Sequence, residues 1–187
     1  MKTALLALLL PAFPQDTAEP FYKFKPGTTW TFKQKADGKE GKVVLTVTEE
    51  KEGKVYLQSK ETREGEAEPR VETPVWYVEN GLLVWADLRA ETLKPTFYIY
   101  KPGSKKGDTW PAGPRDGEAT HLGTAEVTVA AGTFKDVVQI RLARPRLGTV
   151  TFWLAPKVGM VKAERVPREG EEAKAVQLEL AEFKEGK

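Results

Sequence analysis

His121 is the only histidine, Ser59 and Ser104 are the only serines, and there is no cysteine. A Ser-His-Asp centre would have to be built on His121, and no Gly-x-Ser-x-Gly elbow is available to present either serine. Thiolate nucleophiles, thiolate zinc sites, disulfides and a lipid-bearing cysteine are all excluded. Carboxylates are plentiful. Asp108, Asp116, Glu118 and Glu126 lie in and beside a glycine-rich connection that also holds Trp110. Two acids about 5 to 9 Å apart beside an indole platform would suit a glycosidase. Asp108, Asp116 and Glu118 could also offer oxygen ligands to calcium, although no EF-hand spacing is present. Acids in such loops are ordinarily just solvated. The aromatic residues are the better lead: Trp76, Tyr77, Trp85, Tyr98 and Trp153 all fall in strand-like runs. Either they fill a core or some of them face a groove that takes an apolar or planar ligand.

The charge balance removes another class of function. With 29 basic and 27 acidic side chains the formal net charge is +2, so no electrostatic footprint for nucleic acid exists. The basic group Arg141, Arg144 and Arg146 is offset by acidic runs such as Glu49-Glu50 and reads as solvated surface. Residues 1–14 read as a secretory leader, with Lys2 as the positive end, Ala4 to Leu10 as the apolar stretch, and Pro11 and Pro14 as breakers. That stretch is too short to span a bilayer. A periplasmic or secreted location follows as an expectation. Scarce Asn and Met with abundant Lys and Glu suit a thermophile's protein.

These side chains would be positioned by strands. Pro26-Gly27 predicts a type II turn into a first strand carrying Trp30, Phe32 and Gln34 on one face. Val43, Leu45 and Val47 alternate into a hairpin with Lys54 to Ser59. Asn80-Gly81 is the preferred two-residue type I′ turn, and counting outward pairs Glu79 with Leu82, Val78 with Leu83, Tyr77 with Val84 and Trp76 with Trp85. Both faces of that hairpin are apolar, which predicts a central place covered on each side. Matching the apolar faces of the later strands pairs Leu142 with Val150, Ile140 with Phe152 and Gln139 with Trp153, and turns Trp153 away from the core. The C-terminal run Val176, Leu178, Leu180 fits a strand better than a helix. Arg63 to Pro69 and Lys101 to Gly117 read as loops. About eleven antiparallel strands result, in a sandwich or half-open barrel.

The chain also repeats itself. Lys25-Pro26-Gly27, Thr29-Trp30, Leu45-Thr46-Val47, Lys54-Val55, Trp76 and Gly81 recur as Lys101-Pro102-Gly103, Thr109-Trp110, Val127-Thr128-Val129, Asp136-Val137, Trp153 and Gly159. Offsets of about 76 to 82 residues are what a duplicated unit with small insertions produces. Residues 21–187 are therefore expected to form one all-β domain of two pseudo-repeated halves, about 21–100 and 101–187.

The run Val127-Thr128-Val129-Ala130-Ala131-Gly132-Thr133-Phe134-Lys135-Asp136-Val137-Val138, followed by Trp153 to Lys162, resembles a widespread set of uncharacterised exported bacterial proteins. Phe24 to Trp30 is similar to the segment with which those proteins often open. The likeness covers most of residues 21–165, with Ala130 where the family usually has Pro and Lys157 where Gly is common. It implies export and an all-β fold, with some similarity to envelope proteins that handle lipids or lipoproteins, and it brings no catalytic residues. The expected function is a non-catalytic extracytoplasmic β protein binding a hydrophobic or amphiphilic envelope ligand through Trp76, Tyr77, Trp85, Tyr98 and Trp153, with no cofactor, no metal, no nucleic acid and no transmembrane segment. A carboxylate-based glycan hydrolase and a structural module without a small ligand are the alternatives.

Overall fold

The computed structural model describes residues 19–145, 148–170 and 175–187, so the expected leader and Arg146 lie outside the described residues. One helical turn, α1 (Glu19–Tyr22), precedes thirteen strands. These are β1 (Thr29–Ala36), β2 (Lys39–Lys51), β3 (Lys54–Arg63), β4 (Arg70–Glu72), β5 (Pro74–Glu79), β6 (Leu82–Arg89), β7 (Thr92–Tyr100), β8 (Thr109–Pro111), β9 (Glu118–Val129), β10 (Gly132–Arg144), β11 (Gly148–Ala155), β12 (Gly159–Val166) and β13 (Val176–Lys184). The two beyond the expected eleven are β4 and β8, three residues each: β8 lies inside the segment read as a loop from Lys101 to Gly117, and β4 directly follows the one read from Arg63 to Pro69. Each is too short to carry a period of its own, and each forms only because a longer neighbour, β3 or β9, offers it a hydrogen-bonding edge.

All strands are antiparallel in one sheet, ordered β7-β6-β5-β3-β2-β1-β13-β12-β11-β10-β9-β8, with β4 beside β3. Two meanders are thus joined where the first strand pairs with the last, over eight residue pairs from Thr29↔Lys184 to Ala36↔Val176. The sheet curls until its ends meet and forms a nearly closed barrel. Across that second joint the Tyr98 N–H donates to Ala112 O at 3.0 Å, the Trp110 Nε1–H donates to Tyr98 O at 3.0 Å, and Arg144 Nη1 donates to Thr96 O at 3.0 Å. Side chains here do part of the work that a backbone ladder does at the first joint.

The hairpin predicted from Asn80-Gly81 forms in the expected register, with φ values of 51° and 74° at the two turn residues, as a type I′ turn demands. The pairing of Leu142 with Val150, Ile140 with Phe152 and Gln139 with Trp153 is also as predicted. Both Lys-Pro-Gly segments close with the same bond, from Thr28 N–H to Lys25 O and from Ser104 N–H to Lys101 O, each 3.1 Å. The β5–β6 hairpin, however, is not central. Only β7 separates it from the sheet's end, and its outer face is covered by its own neighbours. Val75, Val84 and Ala86 are fully buried there under Tyr77, Tyr56, Tyr98, Leu88 and Leu93. Two apolar faces predicted two coverings without saying that the second would be this local.

Inside the barrel, Trp30, Phe32, Leu45, Val47, Val55, Leu57, Ile140, Leu142 and Leu180 are almost wholly shielded from solvent. Trp30 holds the centre. Its ring meets Phe24 at 4.8 Å and Trp76 at 5.6 Å, and its Nε1–H donates to Val158 O, 128 positions away in sequence, at 2.6 Å. Trp30→Phe should leave that carbonyl buried without a donor while keeping most of the packing. A loss of about 1 to 3 kcal/mol is expected, read as a lower urea midpoint at unchanged denaturant slope.

Candidate functional site

The interior carries a continuous file of rings. From Phe183 on β13 it runs to Trp30 at 5.7 Å, Trp76 at 5.6 Å, Trp85 at 5.5 Å, Phe152 at 6.5 Å and Phe97 at 6.0 Å. Edge-on and tilted contacts at such separations are the favoured geometry for aromatic quadrupoles. Beside the middle of the file lies an apolar void of about 10 Å³, lined by Phe21, Trp76, Leu83, Trp85, Ile99, Phe152, Leu154 and Met160. That is about the space one water needs. Trp76 Nε1 is buried and has no hydrogen-bond partner among the described residues.

The five aromatic residues singled out in the sequence do not share one groove. Trp76 and Trp85 stand together on the void. Tyr77 and Tyr98 face outward in the small cluster over the β5–β6 hairpin. Burial, together with the negative charge of Glu79 and the neighbouring Tyr98, pushes the Tyr77 phenol above its ordinary value of 10.0. Trp153 is half-buried on the outer surface, with Lys162 Nζ 5.1 Å from its ring centre. Trp76 and Trp153 hold corresponding places in the repeated motif yet face opposite sides of the sheet. Phe21, Ile99, Phe152 and Met160 were not marked by sequence, because an apolar residue in an alternating strand carries no sign of what it will meet across the barrel.

The candidates for acid and nucleophile chemistry are also dispersed. Trp110 is buried and committed to Tyr98 O, so it is no open sugar platform. Asp108 accepts the Lys105 N–H at 2.9 Å at one end of β8, whereas Asp116, beyond the other end, lies 3.9 Å from Arg144. No three His, Cys, Asp or Glu residues gather as a cation site among the described residues. Ser104 Oγ and His121 Nδ1 do meet, at 3.1 Å, from a loop and from β9. Both are buried, and His121 also binds the loop through its backbone, donating to Asp108 O at 3.0 Å and accepting from Gly107 N–H at 2.8 Å. The pair anchors the connection between the two meanders. Nothing in sequence spacing announced it, since the turn at Lys101-Pro102-Gly103 decides where Ser104 points.

The barrel mouth near the β1–β2 turn is polar. Gln34 Nε2 donates to Glu61 Oε1 at 2.5 Å, and Arg63 Nε donates to the same oxygen at 2.7 Å. Gln34 lies across Gly41, where a Cβ would stand 2.6 Å from its Oε1. Burial alone would raise the Glu61 carboxyl, but the hydrogen bonds from Arg63 and Gln34 and the charges of Arg63 and Arg70 outweigh it and hold it below 4.5. A carboxyl depressed by folding stabilises the fold above its unfolded pKa and loses that contribution as pH falls through the folded one. Glu61→Gln should therefore be less stable than the parent at pH 7, and the gap should close below about pH 4, measured by urea denaturation at both pH values.

A nearly closed antiparallel β-barrel around an apolar core is the class this fold defines. The fold is shared with solved structures. A presumed exported protein with a YmcC-like fold from Bacteroides fragilis superposes with a TM-score of 0.56 at 14% identity, over 88% of this chain and 99% of that one. A presumed lipoprotein from Parabacteroides distasonis superposes with a TM-score of 0.61 at 16% identity, over the same shares. Identities this low establish a common fold. No family profile matches the sequence, and no curated protein does. Among the described residues no helix is long and apolar enough to cross a membrane.

Proposed function

We propose that this protein is an extracytoplasmic, non-catalytic binding module that takes one apolar chain of an amphiphile into the space beside Trp76 and Trp85. The location is supported by the leader pattern in residues 1–14 and by the descriptions of the two proteins that share the fold. One observation carries the binding reading. Seven of the eight residues around the void sit on strands, and the eighth, Phe21, belongs to α1. Phe21 occupies the barrel as a ligand's chain would, its ring edge-on to Tyr100 at 5.0 Å, and it is held by a four-residue turn instead of by the sheet. A void of about one water's volume accepts a chain only when that side chain moves aside. The buried Trp76 Nε1 would then offer a donor to an ester or carboxyl oxygen.

A purely structural module is the second reading, and the nearly filled interior favours it. The two separate on Phe21→Ala titrated with the apolar fluorophore N-phenyl-1-naphthylamine. Truncation frees a pocket for an aryl group, and burying one contributes about 1.5 to 3 kcal/mol, so the variant should bind at least about tenfold more tightly than the parent. Phe21→Leu should fall between them. If parent and variants are all folded by near-ultraviolet circular dichroism and none shows saturable binding, the ligand reading is lost and the structural one stands.

A further inference from the structure

We infer that the apolar chain reaches this space sideways, through the joint between β7 and β8, with Trp110 and Arg144 as the latch. The inference rests on the binding reading above and concerns the way into that same site.

The two joints that close the barrel are unequal. At β1 and β13 eight residue pairs face each other in a backbone ladder broken only by a bulge between Thr31 and Phe32. At the other, β7 is the end of the strand order and pairs only with β6, and its neighbour β8 is three residues long. What crosses there includes two bonds from side chains, Trp110 Nε1 to Tyr98 O and Arg144 Nη1 to Thr96 O. Such bonds can be released by rotation about side-chain torsions, whereas a ladder must be unzipped along its length. Close approach is also built in. Gly113 lies so near β7 that a Cβ on it would stand 2.9 Å from Thr96 O.

This joint adjoins the site. Ile99, next to Tyr98 on β7, lines the void, as does Phe152, whose ring meets Phe97 of β7 at 6.0 Å. Arg144 lies over the same Phe97 ring at 5.6 Å. Its guanidinium is divided between Thr96 O, the Phe97 face and Asp116 at 3.9 Å, and its Nε is buried with no partner among the described residues. A buried donor left unsatisfied weakens the closed state relative to one in which it meets water. Parting β7 from Ala112 would expose the Trp85, Phe97 and Phe152 end of the ring file to an incoming alkyl or acyl chain, leaving the β1–β13 ladder intact.

The chain has no cysteine, so the joint can be locked selectively. In the double variant Thr96→Cys/Pro114→Cys, a short bis-maleimide bridges the two sides, and the same protein capped with N-ethylmaleimide serves as the unlocked control. Uptake of N-phenyl-1-naphthylamine by stopped flow should slow by about tenfold or more in the bridged form, because binding that needs a conformational change is limited by it. Trp110→Phe, which removes one latch bond and keeps the bulk, should speed uptake by roughly three- to tenfold, the net worth of one hydrogen bond. Equal rates in bridged and capped protein overturn the lateral route while the binding reading survives, since the chain then passes α1. If neither form binds the fluorophore at equilibrium and Phe21→Ala does not bind it either, the binding reading fails and takes this inference with it.

Discussion

The pairing of β1 with β13 is the constraint on which the rest depends. It joins the beginning of the described sheet to its end, turns two meanders into one surface, and brings Phe183 and Trp30 into contact. The ring contacts that cross between the meanders, Phe183 with Trp30 and Phe152 with Trp85 and Phe97, follow from that closure, because the two meanders then curve around a common axis. The cost of ordering so distant a pair is offset by apolar surface removed from water along the whole barrel. The Trp30 indole shows the arrangement in small: its ring takes part in the core, and its N–H ties the β11–β12 turn to β1.

Local pairing was legible because strand registers are set by two-fold alternation and by turns with restricted chemistry. Asn80-Gly81 and the alternation of Val138, Ile140, Leu142 against Val150, Phe152, Leu154 each left one register that keeps an apolar set inward. The C-terminal strand was readable for the same reason. What lay beyond reach was whatever depends on an edge supplied by another strand. Arg70 to Glu72 is exposed throughout, and Thr109 to Pro111 contains one buried residue, so neither carries a signal of its own. The leader, the expected duplication and the thermophilic source stand as sequence expectations, and the opposed faces of Trp76 and Trp153 are a difference between the halves that motif spacing does not register.

The candidate site was only half visible. Aromatic residues in strands declare burial, yet they do not say on which side of a curved sheet they are buried. Trp76 and Trp85 met across the hairpin as counted, while Tyr77 and Tyr98 turned to the opposite face, where strand coiling let a second small cluster close without any added layer. Trp110 is the clearest case. Its place in a glycine-rich connection suggests exposure, whereas in the folded chain the indole replaces a missing stretch of ladder. Similarly, Ser104 and His121 are seventeen positions apart in segments with no shared period, and only the turn geometry brings them together.

The place of β13 in the strand order has a kinetic consequence. Strands β1 to β7 can zip by neighbour-to-neighbour hairpins as soon as they exist, since each pairs with one close in sequence. The final nine-residue strand is different: both flanks of the barrel stay open until it arrives, and it must find partners on β12 and on β1 at once. Contacts of such high sequence separation slow folding. A nascent chain of this design therefore remains an open ribbon until β13 has been made, and commits to a closed form only then.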